Sequence, residues 1–328
     1  MKKTLLKTIY HLGAFAPFHW AMREQVLILT YHRFSSAENP SKISSAEFAA
    51  HLEYLGKHNR VLSLADATYA MRNGKPLPRG ATVITIDDGY ADAYEIAFPV
   101  LKRFGLPATL FVITDFLDEK CWLWTDLMRY VLLETKSGNL SVEFETDEKI
   151  EAKLADKQHR LEIASRVNAR LKKMPDDKKD AKIKEIADAL NVKIPALPTL
   201  DYAPVTLEQA REMDANCLSI ESHTVTHPIL TNIEQTRLDD ELQISKQRLE
   251  TILGRAVEHF CYPNGSFNEQ VRQSVERAGY KSAVTTDYGF NKTSANQFAL
   301  NRIDALPAIE NFAQSASGFE ALRGTPSS

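Results

Sequence analysis

Short runs dense in apolar and β-branched residues recur along the chain. They are VLILTYH (26–32), TVITID (82–87), ATLFVIT (108–114), CLSIESH (217–223), HFCYP (259–263), SAVTTD (282–287) and LNRIDAL (300–306). They read as strands, LNRIDAL as a short final strand or edge. Between them the apolar period switches to that of helices. SSAEFAAHLEYLGKHN (44–59) has Ser44 and Glu47 at capping-box spacing and Phe48, Leu52 and Leu55 on one face. AYEIAFPVLKRFG (93–105) reads as a helix kinked at Pro99 and ended by Gly105. Thr206 and Gln209 form a second capping box. Leu238, Leu242, Ser245, Leu249 and Ile252 mark the inner face of a helix closed by Gly254, and VRQSVERAGY reads as another. Strand–helix alternation of this kind predicts an α/β fold with parallel strands.

One stretch breaks the rhythm. Residues 118–202 include a long Lys-, Asp- and Glu-rich segment with helical apolar spacing, followed by the proline-rich connector IPALPTLDYAP. This predicts a solvated helical insertion in one main domain spanning 26–328. Nothing in the pattern supports a lid or partner-binding role for it. The final GTPSS reads as a frayed tail. Residues 1–25 form a separate N-terminal unit, with a helix from Thr4 to about Ala14. A packing helix is the first reading, an amphipathic interfacial helix with Trp20 at the boundary is the second, and a cryptic export signal is the third. Lys7, His11 and His19 interrupt the apolar run, and no small-residue cleavage site follows.

Composition narrows the function classes. The 328 residues, 44% hydrophobic, suffice for a sizeable core. A net charge of −3 with scattered Lys and Arg argues against a nucleic-acid partner. Three distant cysteines, Cys121, Cys217 and Cys261, are no disulfide framework and fit a reducing compartment. No window approaches the length of an apolar transmembrane helix. A cytoplasmic location is expected, with association at the inner face of the membrane through residues 1–22 as its refinement.

The candidate chemistry lies at strand ends. Asp87 and Asp88 close the strand TVITID, followed by Gly89. Adjacent carboxylates disfavour each other's ionisation, and a bound cation is the usual compensation. His223 and His227, in SHTVTHP after another strand, can converge on one metal if the segment turns tightly, although a pair of surface histidines would look the same. This is not the zincin motif, because Thr224 stands where its Glu would be. Since parallel strands direct their C-termini to one face, two carboxylates and two imidazoles are expected on a common rim. Two histidines, one aspartate and an open position make a catalytic zinc pattern, and the second aspartate is free to act as a base.

TIDDG, HTVTH and YPNG, in that order, resemble the first three motifs of the polysaccharide deacetylases, the NodB-homology family or carbohydrate esterase family four. The resemblance covers about residues 26–115 and 203–305. It implies a distorted (β/α) barrel. It also implies Asp87 as general base, Asp88, His223 and His227 as ligands of a divalent metal, and the Asn264 backbone N–H as oxyanion donor. Zn²⁺ is the default metal, with Co²⁺ or Ni²⁺ as substitutes. Gly265 would let the backbone approach closely. The sequence departs from the family in several places, and the fourth motif's usual Trp and Asp are not clearly matched. Cys261 occupies the position of an arginine that usually pairs with the catalytic aspartate. The usual histidine near the C-terminus is missing, whereas LILTYH supplies His32 near the N-terminus. That arrangement is similar to the permuted motif order of the poly-β-1,6-N-acetylglucosamine deacetylase subgroup, and it implies His32 as the acid, with a buried core histidine as the bland reading. Asp287 is a weak candidate for tuning His32, and Arg302 one for a carboxylate partner. Glu221 stands where the family often has a small residue.

Sugar rings stack on aromatic faces, so Tyr90, Trp122, Trp124 and Tyr262, together with Pro263, are candidate substrate contacts. The expected activity is metal-dependent removal of acetyl groups from N-acetylated amino sugars of a polysaccharide or its lipid-linked precursor. Two rivals stand beside it. One is a hydrolase of a non-sugar amide on the same barrel, and the other is a non-catalytic glycan-binding protein.

Overall fold

The computed structural model describes residues 2–39, 41–144 and 149–323. The seven apolar runs form strands β1 (Leu27–Tyr31), β2 (Ala81–Ile86), β3 (Ala108–Val112), β4 (Leu218–Ser222), β5 (His259–Cys261), β6 (Ser282–Tyr288) and β7 (Leu300–Asp304). All pair in parallel, β1 with both β2 and β7, so the sheet closes on itself in the order β1-β7-β6-β5-β4-β3-β2. A two-residue strand, Arg60–Val61, adds to the outer edge of β2. Every residue of β1, β2 and β3 is buried, as strands covered on both faces require.

The ladder is thinnest between β4 and β5, where one residue pair, Phe260 and Ser222, is in register. Glu221 reinforces that seam. Its carboxylate accepts the backbone N–H of Glu258 (2.9 Å) and of His259 (2.8 Å) and pairs with Arg255 (2.9 Å). This acidic residue in an apolar strand therefore fastens two strands whose own hydrogen bonds are few.

Both capping boxes form, at Ser44 with Glu47 and at Thr206 with Gln209. Gly105 and Gly254 end their helices in the left-handed conformation, φ 62° and 69°. Pro99 does not kink a continuous helix. The chain winds one wide π-type turn over Ala93–Ala97 and starts a new α-helix at Phe98–Phe104, with Pro99 in its first turn, where its missing N–H costs nothing.

The insertion is not purely helical. It contains helices Trp124–Glu134, Lys157–Leu171 and Asp176–Ala189, but also an antiparallel hairpin of Asn139–Glu143 with Lys149–Lys153. Both hairpin strands alternate in burial, and the two-residue period of KIEAK is that of a strand. Met128, Val131, Ile150, Ile163, Val167 and Ile186 belong to its own apolar core. The N-terminal unit folds as two helices, Lys2–His11 and Ala16–Met22. Leu6, Ile9, Tyr10 and Phe18 pack on the main core, while Leu5, Leu12 and Trp20 are exposed. No helix among the described residues is long and apolar enough to cross a membrane. The tail GTPSS lies outside the described residues.

Candidate active site

Asp87 and Asp88 follow β2 directly, and the backbone turns sharply between them, Asp88 taking a positive φ of 75° and Gly89 one of 88°. A left-handed non-glycine residue at a strand end is a strained feature that recurs at functional sites. The turn separates the two carboxylates. Asp87 points into the interior, 2% exposed, and Asp88 points to the rim.

The buried carboxylate meets a buried guanidinium. Arg302 of β7 donates from Nη1 to Asp87 Oδ1 (2.8 Å) and from Nη2 to Oδ2 (2.6 Å). The arginine is itself held by Nε donating to the Thr285 carbonyl (2.7 Å) and Nη1 to Thr85 Oγ1 (3.0 Å). Burial works to raise the Asp87 carboxyl, but the Arg302 charge and its hydrogen bonds override this and hold the group well below the usual carboxylate range. Cys261 lies against the same pair, its thiol 3.4 Å from Asp87 Oδ2 and 3.3 Å from Arg302 Nη2. Burial pushes that thiol well above its usual range, so it stays protonated. An arginine thus reaches Asp87 from β7, across a small side chain at position 261. His32, one residue past β1, places Nε2 3.7 Å from Asp87 Oδ2 with its side chain about half exposed. It is no core histidine. Asp287 is exposed and takes no part.

The second grouping is Asp88, His223 and His227. The HTVTH segment is a tight turn, with positive φ at Thr224 (75°) and His227 (60°). Thr224 Oγ1 accepts the His227 N–H (3.0 Å). Glu241, from the helix Gln235–Leu253, accepts the N–H of Val225 (2.8 Å) and of Thr226 (3.0 Å) and takes the Thr226 hydroxyl (2.5 Å). Glu241 is not among the site residues expected from the sequence. Its signal was a carboxylate set within the apolar stripe of that helix, beside Leu238 and Leu242.

His223 and His227 bring their Nε2 atoms to 3.2 Å from each other, and to 3.6 and 3.8 Å from Asp88 Oδ1. Tetrahedral zinc with bonds of 2.0–2.1 Å separates its ligand atoms by about 3.3 Å, so the spacing fits one ion. Burial lowers both imidazoles, leaving them neutral with lone pairs to give. The His223 Nδ1–H donates to the Cys261 carbonyl (2.7 Å), which fixes the tautomer and leaves Nε2 as the ligand atom. Asp87, His223 and Cys261 also lie close together. That set fits a cation poorly, because Arg302 occupies both Asp87 oxygens and places its own positive charge beside the protonated thiol.

Asn264 follows β5 in a left-handed conformation, φ 55°. The next residue, Gly265 (φ 67°), lies so close to β6 that a Cβ there would come 1.9 Å from Thr286 Oγ1 and 2.7 Å from its backbone nitrogen. Pro263 is buried. Three proposed substrate contacts are interior residues. Tyr90 is 3% exposed, its hydroxyl donates to Asp126 (2.5 Å), and Arg33 covers its ring at 3.9 Å. Trp124, 7% exposed, belongs to the core of the insertion, with Lys179 over its ring. Tyr262 is fully buried and donates to the Phe298 carbonyl (3.0 Å). As placed, none of these three offers an open face to a sugar. Apolar neighbours drew the three rings inward, and the two phenol hydroxyls found partners there, whereas the Trp124 indole N–H is buried without one.

The polysaccharide deacetylase family model matches residues 74–195 and 199–283. This chain belongs to that family. It is a carbohydrate deacetylase, a hydrolase of the NodB-homology type. The match begins after β1, so His32 lies outside it. The chain is 24% identical over 287 residues to a putative polysaccharide deacetylase, YxkH, of Bacillus subtilis, covering 87% of this chain and 73% of that protein. It is 29% identical over 136 residues to the poly-β-1,6-N-acetyl-D-glucosamine N-deacetylase of Staphylococcus aureus, covering 37% of this chain and 47% of that protein. Among solved structures, it shares the fold of the Streptococcus pyogenes deacetylase PplD (TM-score 0.60, 21% identity, 89% of this chain and 98% of the other). It also shares that of IcaB from Ammonifex degensii (TM-score 0.58, 18% identity, 90% and 97%).

Proposed function

We propose that this deacetylase hydrolyses the N-acetyl groups of a β-linked N-acetylglucosamine polymer or its lipid-linked precursor. Asp87 acts as base, His32 as acid, and Asp88, His223 and His227 hold a divalent metal, Zn²⁺ by preference. The observation that carries this reading is the division between the two aspartates. One is locked onto Arg302 and the other faces two neutral imidazoles. The Staphylococcus relative's substrate supports the choice of sugar.

A bound metal would polarise the acetyl carbonyl and make water more acidic. The ionised Asp87 removes a proton from the attacking water as its oxygen bonds to the acetyl carbon. The Asn264 backbone N–H, held in its left-handed turn, donates to the oxygen on which negative charge develops. His32, exposed at the rim, gives a proton to the sugar nitrogen as the C–N bond breaks. Asp87 keeps the proton taken from water and His32 loses the one it gave, so the products of the step are acetic acid, which ionises to acetate in water, and a free amine, and atoms and charge balance. Acetate release from N-acetylglucosamine oligomers, wild type against Asp87→Asn and His32→Ala, tests these roles. Full turnover in Asp87→Asn would remove the mechanism, and full turnover in His32→Ala the acid assignment.

The exposed Leu5 and Trp20 on the N-terminal helices and Leu12 in the turn between them support peripheral attachment to a membrane. Cosedimentation with anionic vesicles, with and without residues 1–22, tests this. Equal binding by both forms would sink it.

A further inference from the structure

With Tyr90, Trp124 and Tyr262 buried, three other aromatic side chains remain half-buried beside the site. Trp122 opens the insertion, Tyr130 lies in its first helix, and Tyr202 belongs to the connector that returns to the barrel. Their rings form one cluster, Trp122 5.3 Å from Tyr130 and 5.4 Å from Tyr202. Neither tyrosine lies flat on the indole, the planes meeting at 49° and 48°, so stacking does not seal the indole face. The Trp122 Nε1–H is satisfied by the Pro195 carbonyl (3.0 Å), which fixes the ring's orientation. Among the described residues neither tyrosine hydroxyl has a protein partner.

The connector ties this cluster to the catalytic rim. Val205 N–H donates to the Gly89 carbonyl (2.9 Å) and Ala91 N–H to the Ala203 carbonyl (2.8 Å), so residues 203–205 run alongside the turn that carries Asp88. Tyr202 immediately precedes that paired stretch, and Arg33, next to His32, donates to the Asp201 carbonyl (2.5 Å). The cluster is therefore continuous with the rim on which the reacting sugar would lie.

We infer that Trp122, Tyr130 and Tyr202 form a secondary subsite that stacks a sugar ring of the glycan chain away from the residue being deacetylated. Sugar rings present apolar C–H faces to aromatic planes while their hydroxyls reach donors and acceptors such as the two phenols. The inference rests on the glycan reading above and adds to it a preference for polymer, which the insertion supplies. Contacts remote from the reacting bond that are equally strong before and during reaction lower KM without changing kcat.

The test is acetate release from N-acetylglucosamine oligomers of two to six residues, comparing wild type with Trp122→Ala, Trp122→Phe and Tyr202→Ala. Trp122→Ala and Tyr202→Ala should raise KM about tenfold on the longest oligomers, leave kcat within about twofold, and change the disaccharide little. Trp122→Phe keeps a ring but loses the bond to Pro195, and should retain most of the length preference. Equal losses at every length, or losses in kcat, would overturn the subsite in favour of a packing role for the cluster. Unchanged length dependence would overturn it as well. Failure of the wild type to release acetate from any oligomer would overturn the glycan reading and the subsite together.

Discussion

Arg302 on β7 grips Asp87 after β2 through two parallel hydrogen bonds of 2.8 and 2.6 Å, with both side chains almost wholly buried. Removing one member of a buried ion pair typically costs 3–5 kcal/mol, because the other charge is left uncompensated. Arg302→Met should therefore destabilise the fold by about that amount in urea unfolding. It should also lower kcat about 100-fold or more with little change in KM, since Asp87 loses its orientation. Near-normal kcat in Arg302→Met would contradict the positioning role.

The small side chain at position 261 leaves the space that the Arg302 guanidinium fills, its Nη2 lying 3.3 Å from Sγ. The pair is expected to be exchangeable. Cys261→Arg alone should clash with Arg302 and place two cations together. Combined with Arg302→Ala, it should recover part of the activity that Arg302→Ala loses. Acetate release from the three variants checks this, and a double variant no better than either single one would contradict it.

The two adjacent aspartates should fail differently. Asp87→Asn is expected to abolish turnover while metal content per chain, measured by elemental analysis after dialysis, stays near that of the wild type. Asp88→Asn should lower both, because its oxygen faces both imidazoles. Chelation should likewise remove activity, and Zn²⁺ or Co²⁺ should restore it. Equal metal retention in both variants would reject the division of labour.

Gly265 cannot accept a side chain. Its φ of 67° disfavours one, and the 2.7 Å approach to the Thr286 backbone nitrogen cannot be relieved by rotating a side chain. Gly265→Ala should lose about 1–3 kcal/mol of stability. Because Asn264 moves with it, kcat should fall as well. Thr286→Gly beside Gly265→Ala removes Oγ1 and Cβ but should recover little, since the clash with the backbone nitrogen persists. Full rescue would show that only the threonine side chain matters.

A pH-dependent stability term is built around His51. Its ring stacks on Phe312 at 3.9 Å, Nε2–H donates to the Pro307 carbonyl (3.1 Å), and Nδ1 accepts from the Tyr31 hydroxyl (3.2 Å). Burial lowers its pKa from 6.5 to about 4. The unfolded chain binds a proton that the folded one refuses between these values. This contribution to stability is therefore complete above pH 6.5 and falls by about 1.4 kcal/mol per unit as pH drops towards 4. In urea titrations at pH 7 and 5, His51→Gln should lose less stability on acidification than wild type by about that slope. Parallel losses in the two proteins would refute the assignment.

Strand order along the chain, the parallel barrel class, both capping boxes and the strand-end positions of Asp87, Asp88, His223 and His227 were determined by the sequence itself. These features rest on local periods, turn chemistry and the rule that parallel strands end on one face. Other features depend on contacts distant in sequence, and only the tertiary structure decided them. Arg302 lies 215 residues from the carboxylate it holds. Glu221 and Glu241 fasten backbone N–H groups that lie 15 to 38 residues away, and a linear reading cannot supply those pairings. The same holds for the aromatic residues. Burial of Tyr90, Trp124 and Tyr262 depended on which apolar surfaces and polar partners folding brought to them. Which rings stay open to solvent is set by packing in three dimensions, and composition along a segment does not encode it.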